Sequence, residues 1–264
     1  MTVPITWLYV PGDRPELMTK ALSSGADVVI VDLEDAVAPD RKEYARAATA
    51  EFLASPQPLP VHVRIADEQD VPFLVGLPAL TGLRVPKVTH PSDVHRVAAR
   101  AADIALFALL ESAIAVEHAH AIAAAHPAVR GIALGEADLR ADLGVREDSG
   151  LDWARSRVVV AARAAGLAAP AQSVYPDVRD LDGLAASCVR GRSLGFLGRA
   201  AIHPRQVPVI ERSYLPTPRE IEEAEEVISA ATADAGALAL SDGRFVDAAV
   251  VAAARRTLTV ADRG

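Results

Sequence analysis

Two hydrophobic runs of this chain each end in carboxylates whose types and positions suit one bound cation. Ala105–Leu110 leads directly into Glu111, and Val129–Leu134 leads into Gly135-Glu136-Ala137-Asp138. A continuous apolar run is typical of a parallel strand buried on both faces, and such folds carry their chemistry at the carboxyl ends of the strands. Carboxylates presented there, with no Cys or His cluster nearby, suit a hard cation such as Mg²⁺, which prefers oxygen ligands. The sequence therefore predicts an enzyme with a charged site at the rim of a parallel sheet.

The elements that must position these carboxylates follow a βα repeat. Short β-branched runs alternate with Ala-rich stretches of helical period. Eight strands are predicted, over residues 6–10, 28–32, 61–65, 83–88, 104–110, 129–134, 171–175 and 195–202. Helices are predicted between them, over residues 16–24, 41–54, 72–80, 92–101, 113–125, 151–165 and 181–190. Eight strands joined by right-handed crossovers close most simply into a (β/α)₈ TIM barrel. A doubly wound open sheet is the alternative, but the G-x-G-x-x-G turn typical of that fold does not follow the first strand.

The alternation of strands and helices stops after Pro204. A charged helix is predicted over residues 218–235, and the tail over residues 240–260 contains a Ser241-Asp242-Gly243 turn before another Ala-rich helix. We therefore expect a TIM-barrel catalytic domain over residues 1–215 and a C-terminal helical extension over residues 216–264. Such an extension either packs on its own barrel or reaches a neighbouring subunit.

Composition excludes several classes of protein. The formal net charge of -8 argues against a nucleic-acid groove, which needs a concentrated basic face. Cys188 is the only cysteine, so neither a disulfide framework nor a thiolate zinc site is expected. No apolar run approaches the ~18 residues needed to span a bilayer, and the first residues do not resemble a signal peptide. The sequence predicts a soluble, cytoplasmic protein with no membrane or nucleic-acid partner.

Arg64 and Lys87 add positive charge at the ends of the third and fourth predicted strands. A structural explanation exists for each charged residue, since acids cap helices and cations pair with acids. However, each unpaired ion buried at the carboxyl end of the sheet would cost several kcal/mol of folding free energy. The concentration of charged residues there therefore indicates a ligand-binding site. Carboxylate-bound Mg²⁺ would polarise a carbonyl oxygen and stabilise an enolate, while the planar fork of Arg64 suits a substrate carboxylate. This equipment is typical of an enzyme that makes or breaks a C–C bond next to a carbonyl.

Motifs in a fixed order over nearly the whole chain carry a family resemblance. They are LYVPGDRP at 8–15, VDLEDAV at 31–37, VRI at 63–65, PKV at 86–88, LES at 110–112, GEADL at 135–139, and GFLG followed by IHPRQ between 195 and 206. Their order and spacing resemble those of the citrate lyase β-subunit-like proteins of the HpcH/HpaI aldolase superfamily, which also includes malyl-CoA and citramalyl-CoA lyases.

The resemblance implies a Mg²⁺-dependent lyase on a TIM barrel, usually a homotrimer, that acts on acyl-CoA or acyl-carrier-protein thioesters. It implies metal ligands at Glu111 and Asp138 and a substrate-gripping, catalytic arginine at Arg64. It also implies contacts to the oxo acid from Gly135, Glu136 and Ala137, and positions near the substrate or CoA for Pro11, Gly12, Arg14 and Lys87.

Two further features bear on the substrate side of the site. In the CoA-lyase branch of the family, a tail aspartate of the adjacent subunit covers the site and handles the proton, and Gly243-Arg244-Phe245-Val246-Asp247 resembles that segment. Asp247 is therefore the catalytic candidate, although an acid in the first turn of a helix is also explained by the helix dipole. The Arg-Ile-Asn of many relatives is Arg64-Ile65-Ala66 here, so the substrate side is expected to differ more than the metal side.

The expected reaction is the cleavage of a 3-hydroxyacyl-CoA such as malyl-, citramalyl- or citryl-CoA into an acyl-CoA and an oxo acid, or the reverse condensation. Two different functions remain open beside it. Lys87 could act as a Schiff-base nucleophile in a metal-free aldolase, because neighbouring groups can lower a lysine pKa. The chain could instead be a non-catalytic protein that binds CoA thioesters.

Overall fold

The computed structural model describes residues 3–101, 103–233, 238–239 and 245–263. The chain divides into two compact units, one formed by residues 4–213 and the other by residues 214 onward together with the N-terminal residues up to Val3. The predicted Ser241-Asp242-Gly243 turn and the Gly243-Arg244 part of the tail motif lie outside the described residues.

The first unit is built on one parallel sheet. Its strands are β1 (Thr6–Pro11), β2 (Val28–Asp32), β3 (Val61–Arg64), β4 (Leu80–Val85), β5 (Ala105–Leu110), β6 (Val129–Leu134) and β7 (Arg199–Ala201). They lie in the order β6-β5-β4-β3-β2-β1-β7. The guanidinium carbon of Arg84 on β4 is 5.8 Å from the ring centroid of Trp7 on β1, three strands away, so the sheet curls around a common interior.

The predicted strand over residues 171–175 is the main departure from an eight-stranded barrel. Among the described residues it forms a single parallel bridge, between Gln172 and Arg199, instead of a ladder. The carbonyl oxygens of Ser173 and Tyr175 accept hydrogen bonds from the side chains of Arg199 and Gln206 at 2.9 Å each. Because these side chains occupy the carbonyl groups, the segment lines the interior without joining the sheet as a regular strand. The structure thus establishes a curled parallel α/β sheet, while closure into a complete (β/α)₈ barrel stays a prediction.

Helices of the first unit connect the strands. They are α1 (Pro15–Ala21), α2 (Lys42–Leu53), α3 (Val71–Leu74), α4 (Pro91–Ala101), α5 (Ala113–Glu117), α6 (Ala119–Ala123), α7 (Glu136–Leu143), α8 (Asp152–Ala164), α9 (Leu181–Ser193) and α10 (Val207–Tyr214), whose last residue belongs to the second unit. Short 3₁₀ helices cover Pro39–Arg41, Asp148–Leu151 and Pro204–Gln206.

Three helix predictions need correction. The helix expected over residues 72–80 is only α3, and β4 begins at Leu80 rather than at residue 83. The helix expected over residues 113–125 is interrupted at His118, whose backbone leaves the helical region between α5 and α6. Helix α7, which directly follows β6, was not predicted, and it carries Asp138.

Buried apolar strands form the core, and the interior of the curled sheet contains aromatic rings. Every residue of β2 is buried, which matches its continuous apolar sequence. At one level of the interior, His62 of β3 stacks on Phe107 of β5 with ring centroids 4.6 Å apart. A Cβ at Gly82 would lie 2.9 Å from both rings, so glycine at this position gives the two rings room. The stacked rings of His62 and Phe107 therefore fill this level of the interior.

In its described residues, the second unit contains two helices and two short strands. Helices α11 (Pro218–Ala233) and α12 (Ala248–Ala261) flank strands β8 (Leu238–Ala239) and β9 (Phe245–Val246), which pair antiparallel. The unit has its own apolar cluster, formed by Ala224, Val227, Val246 and Ala254. Asp247 caps α12, because its Oδ1 accepts hydrogen bonds from the amides of Ala249 and Val250 at 2.9 Å each. The capping explanation of Asp247 therefore holds in this chain, and its catalytic role stays a prediction. In the part of the chain that the structure describes, no helix combines the length and hydrophobicity needed to cross a membrane.

Candidate active site

A cavity of about 420 Å³ opens at the carboxyl ends of the strands in the first unit. Seven of the residues selected from the sequence motifs line much of it: Pro11, Arg64, Glu111, Gly135, Glu136, Ala137 and Asp138. The remaining lining residues are Tyr9, Val10, Asp32, Asp35, Ala36, Arg84, Leu109, Ala133, Leu134, Ala171, Gln172, Ser173, Val174, Ala200 and Ile202. The three residues predicted to carry the chemistry, Glu111, Asp138 and Arg64, thus face one space.

Glu111 lies immediately after β5 and is almost completely buried. Its Oε2 accepts a hydrogen bond of 2.8 Å from the backbone amide of Lys87. The pKa of Glu111 is raised to about 7, chiefly by burial and also by the nearby carboxylates of Glu34 and Asp138, against the opposing effects of the Lys87 amide and Arg64. A buried carboxylate surrounded by others is stabilised in its charged form by a cation.

The backbone of Gly135 lies against the Glu111 side chain. A Cβ at Gly135 would be 2.4 Å from Cγ and 2.5 Å from Oε1 of Glu111, distances that no real side chain can adopt. The Gly135 amide also donates to the carbonyl of Leu110 at 3.0 Å, which ties the end of β6 to the end of β5. Helix α7 starts at the next residue and carries Asp138 in its first turn, exposed to the cavity. Gly135 therefore permits the close approach of the two strand ends that carry the acids.

Arg64, at the end of β3, is fixed by two acids of the β2 end. Its Nε and Nη2 donate to the two carboxylate oxygens of Asp32 at 2.8 and 2.6 Å. Its Nη1 lies 2.9 Å from Oε2 of Glu34. Burial disfavours the charged guanidinium, but the hydrogen bonds and charge of Asp32 outweigh burial, so the pKa of Arg64 lies above its ordinary value. Arg64 is therefore a permanent, rigidly held cation in the cavity wall.

Lys87 contributes its backbone to the site, while its side chain is mostly exposed. The residue has a φ of +54°, in the left-handed region that non-glycine residues rarely adopt, and this conformation directs its amide to Glu111. Its Nζ lies 3.0 Å from Oε1 of Glu34, and this pairing raises the pKa of the amine. Burial in turn raises the pKa of Glu34, although Arg64 opposes that shift.

Other residues chosen from the sequence lie beside the cavity rather than in its wall. Gly12, Arg14 and Lys87 are not among the residues that line it, and the Arg14 side chain is mostly exposed. Ala66, which replaces the family asparagine, is also outside the lining, and its amide donates to Asp70 at 2.7 Å. The expected roles of these positions in holding substrate or CoA stay predictions.

Glu136 has a structural partner that sequence reasoning missed. The buried Arg155 of α8 donates from Nε and Nη2 to the two carboxylate oxygens of Glu136 at 2.9 and 2.7 Å. The same guanidinium also bonds to Asp148 at 2.8 Å and Asp152 at 3.2 Å. Because these contacts use both carboxylate oxygens of Glu136, its side chain is held by Arg155, and the expected contact of Glu136 with the oxo acid stays a prediction. Helix α8 carries three arginines, Arg155, Arg157 and Arg163, and its sequence alone does not show which of them is buried.

Sequence reasoning also missed Tyr9, Arg84 and Ser173, which line the cavity from within strands or near them. No group of three or more His, Cys, Asp and Glu residues converges as a metal centre anywhere in the described ranges. The pair of Glu111 and Asp138 would therefore leave most positions around a cation to substrate and water oxygens, an arrangement that Mg²⁺ favours.

A family model described as HpcH/HpaI aldolase/citrate lyase matches residues 6–204. The chain belongs to this family. The match to the HpcH/HpaI family covers every residue that lines the cavity and confirms the resemblance drawn from the sequence motifs.

Individual members of the HpcH/HpaI family match almost the whole chain. A (3S)-malyl-CoA thioesterase of Cereibacter sphaeroides is 34% identical over 269 residues, which are 97% of this chain and 93% of the relative. An L-malyl-CoA/beta-methylmalyl-CoA lyase of Rhodobacter capsulatus is 31% identical, with 92% of this chain and 90% of the relative covered. A solved structure of protein CitE from Mycobacterium tuberculosis, in complex with magnesium, acetoacetate and coenzyme A, covers 98% of both chains at 34% identity with a TM-score of 0.84.

Proposed function

We propose that this protein is a Mg²⁺-dependent carbon–carbon lyase that cleaves, or forms, a 3-hydroxyacyl-CoA thioester. One observation carries the proposal: a buried Glu111 and the acid Asp138 line the same cavity as an arginine held by Asp32. Two relatives support it, the L-malyl-CoA/beta-methylmalyl-CoA lyase and the CitE structure that contains magnesium, acetoacetate and coenzyme A.

The residues present fit a magnesium ion. Glu111 and Asp138 would hold it, because burial and neighbouring acids make the charged form of Glu111 costly without a cation. When bound, Mg²⁺ supplies Lewis acidity at the oxygens of the oxo-acid half of the substrate. The Lys87 amide fixes one oxygen of Glu111, and the absence of a side chain at Gly135 leaves the other accessible.

Arg64 is suited to bind the carboxylate of the oxo-acid half. A guanidinium has five N–H groups; the hydrogen bonds to Asp32 occupy two of them, and Nη1 forms an ion pair with Glu34. One N–H on each terminal nitrogen remains for a ligand. Since the arginine is already fixed, little side-chain entropy is lost when it binds substrate.

The reaction requires a base and an acid in sequence. In the cleavage direction, a base removes the proton of the 3-hydroxyl group, the C2–C3 bond breaks, and its electron pair passes to the thioester as an enolate. The enolate then takes a proton at carbon to give the acyl-CoA, while C3 becomes the carbonyl of the oxo acid. We propose Asp247 of an adjacent subunit as the base, in a homotrimer, on the strength of the family resemblance of its segment.

Hydrolysis is a second candidate function, favoured by the (3S)-malyl-CoA thioesterase that matches 97% of this chain. The same cavity would then direct water to the thioester carbonyl, and the products would be a hydroxy acid and free CoA.

The Schiff-base aldolase and the non-catalytic binding protein have less support. A Schiff-base role requires an amine with a lowered pKa in the cavity, whereas Lys87 has a raised pKa and does not line it. A non-catalytic protein would gain nothing from a costly buried acid such as Glu111.

The test is to incubate the purified protein with malyl-, citramalyl-, methylmalyl- and citryl-CoA, with Mg²⁺ or with EDTA, and to identify all products by mass spectrometry. We expect Mg²⁺-dependent release of an oxo acid together with an acyl-CoA. Release of a hydroxy acid and free CoA would replace the lyase by a thioesterase. Binding of the thioesters without any turnover would overturn both enzymatic functions.

Matched variants connect the activity to the cavity. We expect Glu111→Gln and Asp138→Asn to abolish Mg²⁺-dependent turnover while the fold is retained. Glu147→Gln is the control, because Glu147 is an exposed acid that does not line the cavity. If Asp138→Asn kept full Mg²⁺-dependent activity, the metal assignment would be wrong.

A further inference from the structure

Arg84, the penultimate residue of β4, brings a second guanidinium into the cavity. It lies opposite Arg64 of β3 and Phe107 of β5 in the sheet register, so the two arginines are neighbours on adjacent strands. Glu111 lies four residues beyond Phe107, about 13 Å further along the strand at the usual rise per residue. Arg84 therefore enters the cavity from deeper in the interior than the proposed metal ligands.

The guanidinium of Arg84 is buried without a counter-ion. Its exposed fraction is 5%, and the guanidinium carbon lies 5.0 and 5.8 Å from the ring centroids of Phe107 and Trp7. Its Nε has no hydrogen-bond partner, and within the described part of the chain its side chain forms no ion pair. Burial lowers the pKa of Arg84, and the nearby Tyr9 only partly offsets this effect.

Other buried arginines of the described chain are satisfied. Arg155 bonds to three carboxylates, and Arg199 donates to Ser187 Oγ at 2.9 Å and to the carbonyl of Ser173. Arg64, at the same level as Arg84, is neutralised by Asp32 and Glu34. Like charges directly opposite each other on neighbouring strands are unfavourable, and a buried ion without a partner is costly. Within the described residues, Arg84 thus brings a positive charge into the cavity with no carboxylate in ion-pair contact.

We infer that Arg84 binds a second carboxylate of the substrate, so that the oxo-acid half is a dicarboxylic 2-oxo acid rather than glyoxylate or pyruvate. This inference rests on the proposed lyase function and specifies its substrate class. Arg64 takes the carboxylate next to the reacting carbonyl, and Arg84 takes the carboxylate at the far end of the same molecule. The aromatic rings around Arg84 exclude water, which strengthens a charge-assisted hydrogen bond formed there.

The experiment compares two thioesters and their oxo acids. Turnover of citryl-CoA, which releases a dicarboxylic oxo acid, is measured against malyl-CoA, and binding of oxaloacetate and 2-oxoglutarate is measured against pyruvate by calorimetry with Mg²⁺. The variants are Arg84→Met, which keeps the length and removes the charge, and Arg84→Lys, which keeps the charge and removes the fork. Thermal unfolding without ligand is recorded for each protein.

We expect the wild type to bind the dicarboxylic acids at least tenfold more tightly than pyruvate. Arg84→Met should lose this preference while its affinity for pyruvate is unchanged. Arg84→Lys should show an intermediate preference. The unliganded Arg84→Met protein should melt at the same or a higher temperature, because an unbalanced buried charge has been removed. Turnover with equal selectivity in wild type and Arg84→Met, or a lower melting temperature as the sole change, would overturn the role of Arg84 and leave the lyase function standing. If Arg84→Met fails to fold, a wild-type preference for pyruvate or malyl-CoA overturns it equally. No binding of any oxo acid and no turnover of any thioester would overturn both proposals.

Discussion

Arg155 and Glu136 are joined by two parallel hydrogen bonds, of 2.9 and 2.7 Å, between the guanidinium of one helix and the first residue of another. This pair links α8 to the start of α7, two residues before Asp138. The orientation of a proposed metal ligand therefore depends on a buried side chain that does not line the cavity.

Replacement of Arg155 by Met should destabilise the protein and weaken Mg²⁺ binding. Removing one partner of a buried ion pair costs about 3 kcal/mol, at the lower end of the usual range because Asp148 and Asp152 can reach water. Loss of a supporting contact behind a metal ligand typically lowers metal affinity by roughly 10- to 100-fold. Urea unfolding and Mg²⁺ calorimetry measure the two effects. Arg163→Met, on the same helix but exposed, is the control, and equal behaviour of both variants would refute a positioning role for Arg155.

A methyl group at position 135 should displace Glu111. Because its Cβ would lie 2.4 Å from Cγ of Glu111, Gly135→Ala forces that side chain or the end of β6 to move. We expect roughly a tenfold or larger loss of Mg²⁺ affinity, as for other disturbed metal ligands. A second change, Glu111→Asp, shortens the acid and should relieve the clash, so the double variant should be more stable than Gly135→Ala alone. If the second change further destabilised the protein, the clash would not be the cause.

The raised pKa of Glu111 predicts how stability depends on pH. Its value is about 7 in the folded protein without metal, compared with an ordinary value of 4.5. Between these pH values the folded state holds a proton that the unfolded chain has released, so the free energy of unfolding of metal-free protein should fall as pH rises from about 4.5 to about 7. Mg²⁺ must displace the same proton, so its affinity should rise about tenfold per pH unit below pH 7 and level off above it.

Thermal unfolding with EDTA, and Mg²⁺ titration at several pH values, measure both trends. Glu111→Gln should remove this contribution to the pH dependence of stability, whereas Glu147→Gln should retain it. A metal-free protein whose stability was unaffected by Glu111→Gln at every pH would contradict the raised pKa.

Substitution of Lys87 separates its backbone from its side chain. Glycine adopts a φ of +54° without strain and keeps the amide that bonds to Glu111. Lys87→Gly should therefore keep Mg²⁺-dependent turnover within about fivefold, since the Lys87 amine is mostly exposed and Glu34 keeps its ion pair with Arg64. Lys20, Lys42 and Lys87 are the only lysines of the sequence, so borohydride trapping with an oxo acid can be mapped unambiguously by mass. We expect no adduct at Lys87. An adduct there, together with an inactive Lys87→Gly protein, would establish the Schiff-base mechanism.

Continuous apolar runs made much of the sheet predictable. Residues 28–32 form a strand over the predicted range, because a strand buried on both faces requires apolar residues throughout. Residues 129–134 also form a strand over the predicted range, although Arg130 within it is exposed at the edge of the sheet. The segment over residues 171–175 has a similar apolar content, but Arg199 and Gln206 bond its carbonyl groups, and such side-chain competition depends on residues distant in sequence. Helix α7 was missed because it is short and highly charged, although Gly144 with a φ of 65° ends it as a C-terminal glycine typically does.

The proposed metal side of the site was predictable because its residues follow directly after strands. Glu111, Asp138 and Arg64 all lie at or just after strand ends, and all three line the same cavity. Arg84 was not predictable, because an arginine inside a strand can face either side, and only the register next to Arg64 and Phe107 shows that it points inward. The partners of Arg155 depend in the same way on how α7 and α8 pack.

The contacts that hold Glu111 are made by main-chain atoms, the amide of Lys87 on one side and the bare backbone of Gly135 on the other. Side chains such as Arg84, by contrast, project from neighbouring strands into the rest of the cavity. Mutations that alter those inward side chains can therefore change which acid is accepted without rebuilding the carboxylate centre. In protein engineering and in evolution, this separation allows the substrate to change through substitutions of the inward side chains while the carboxylate centre stays the same.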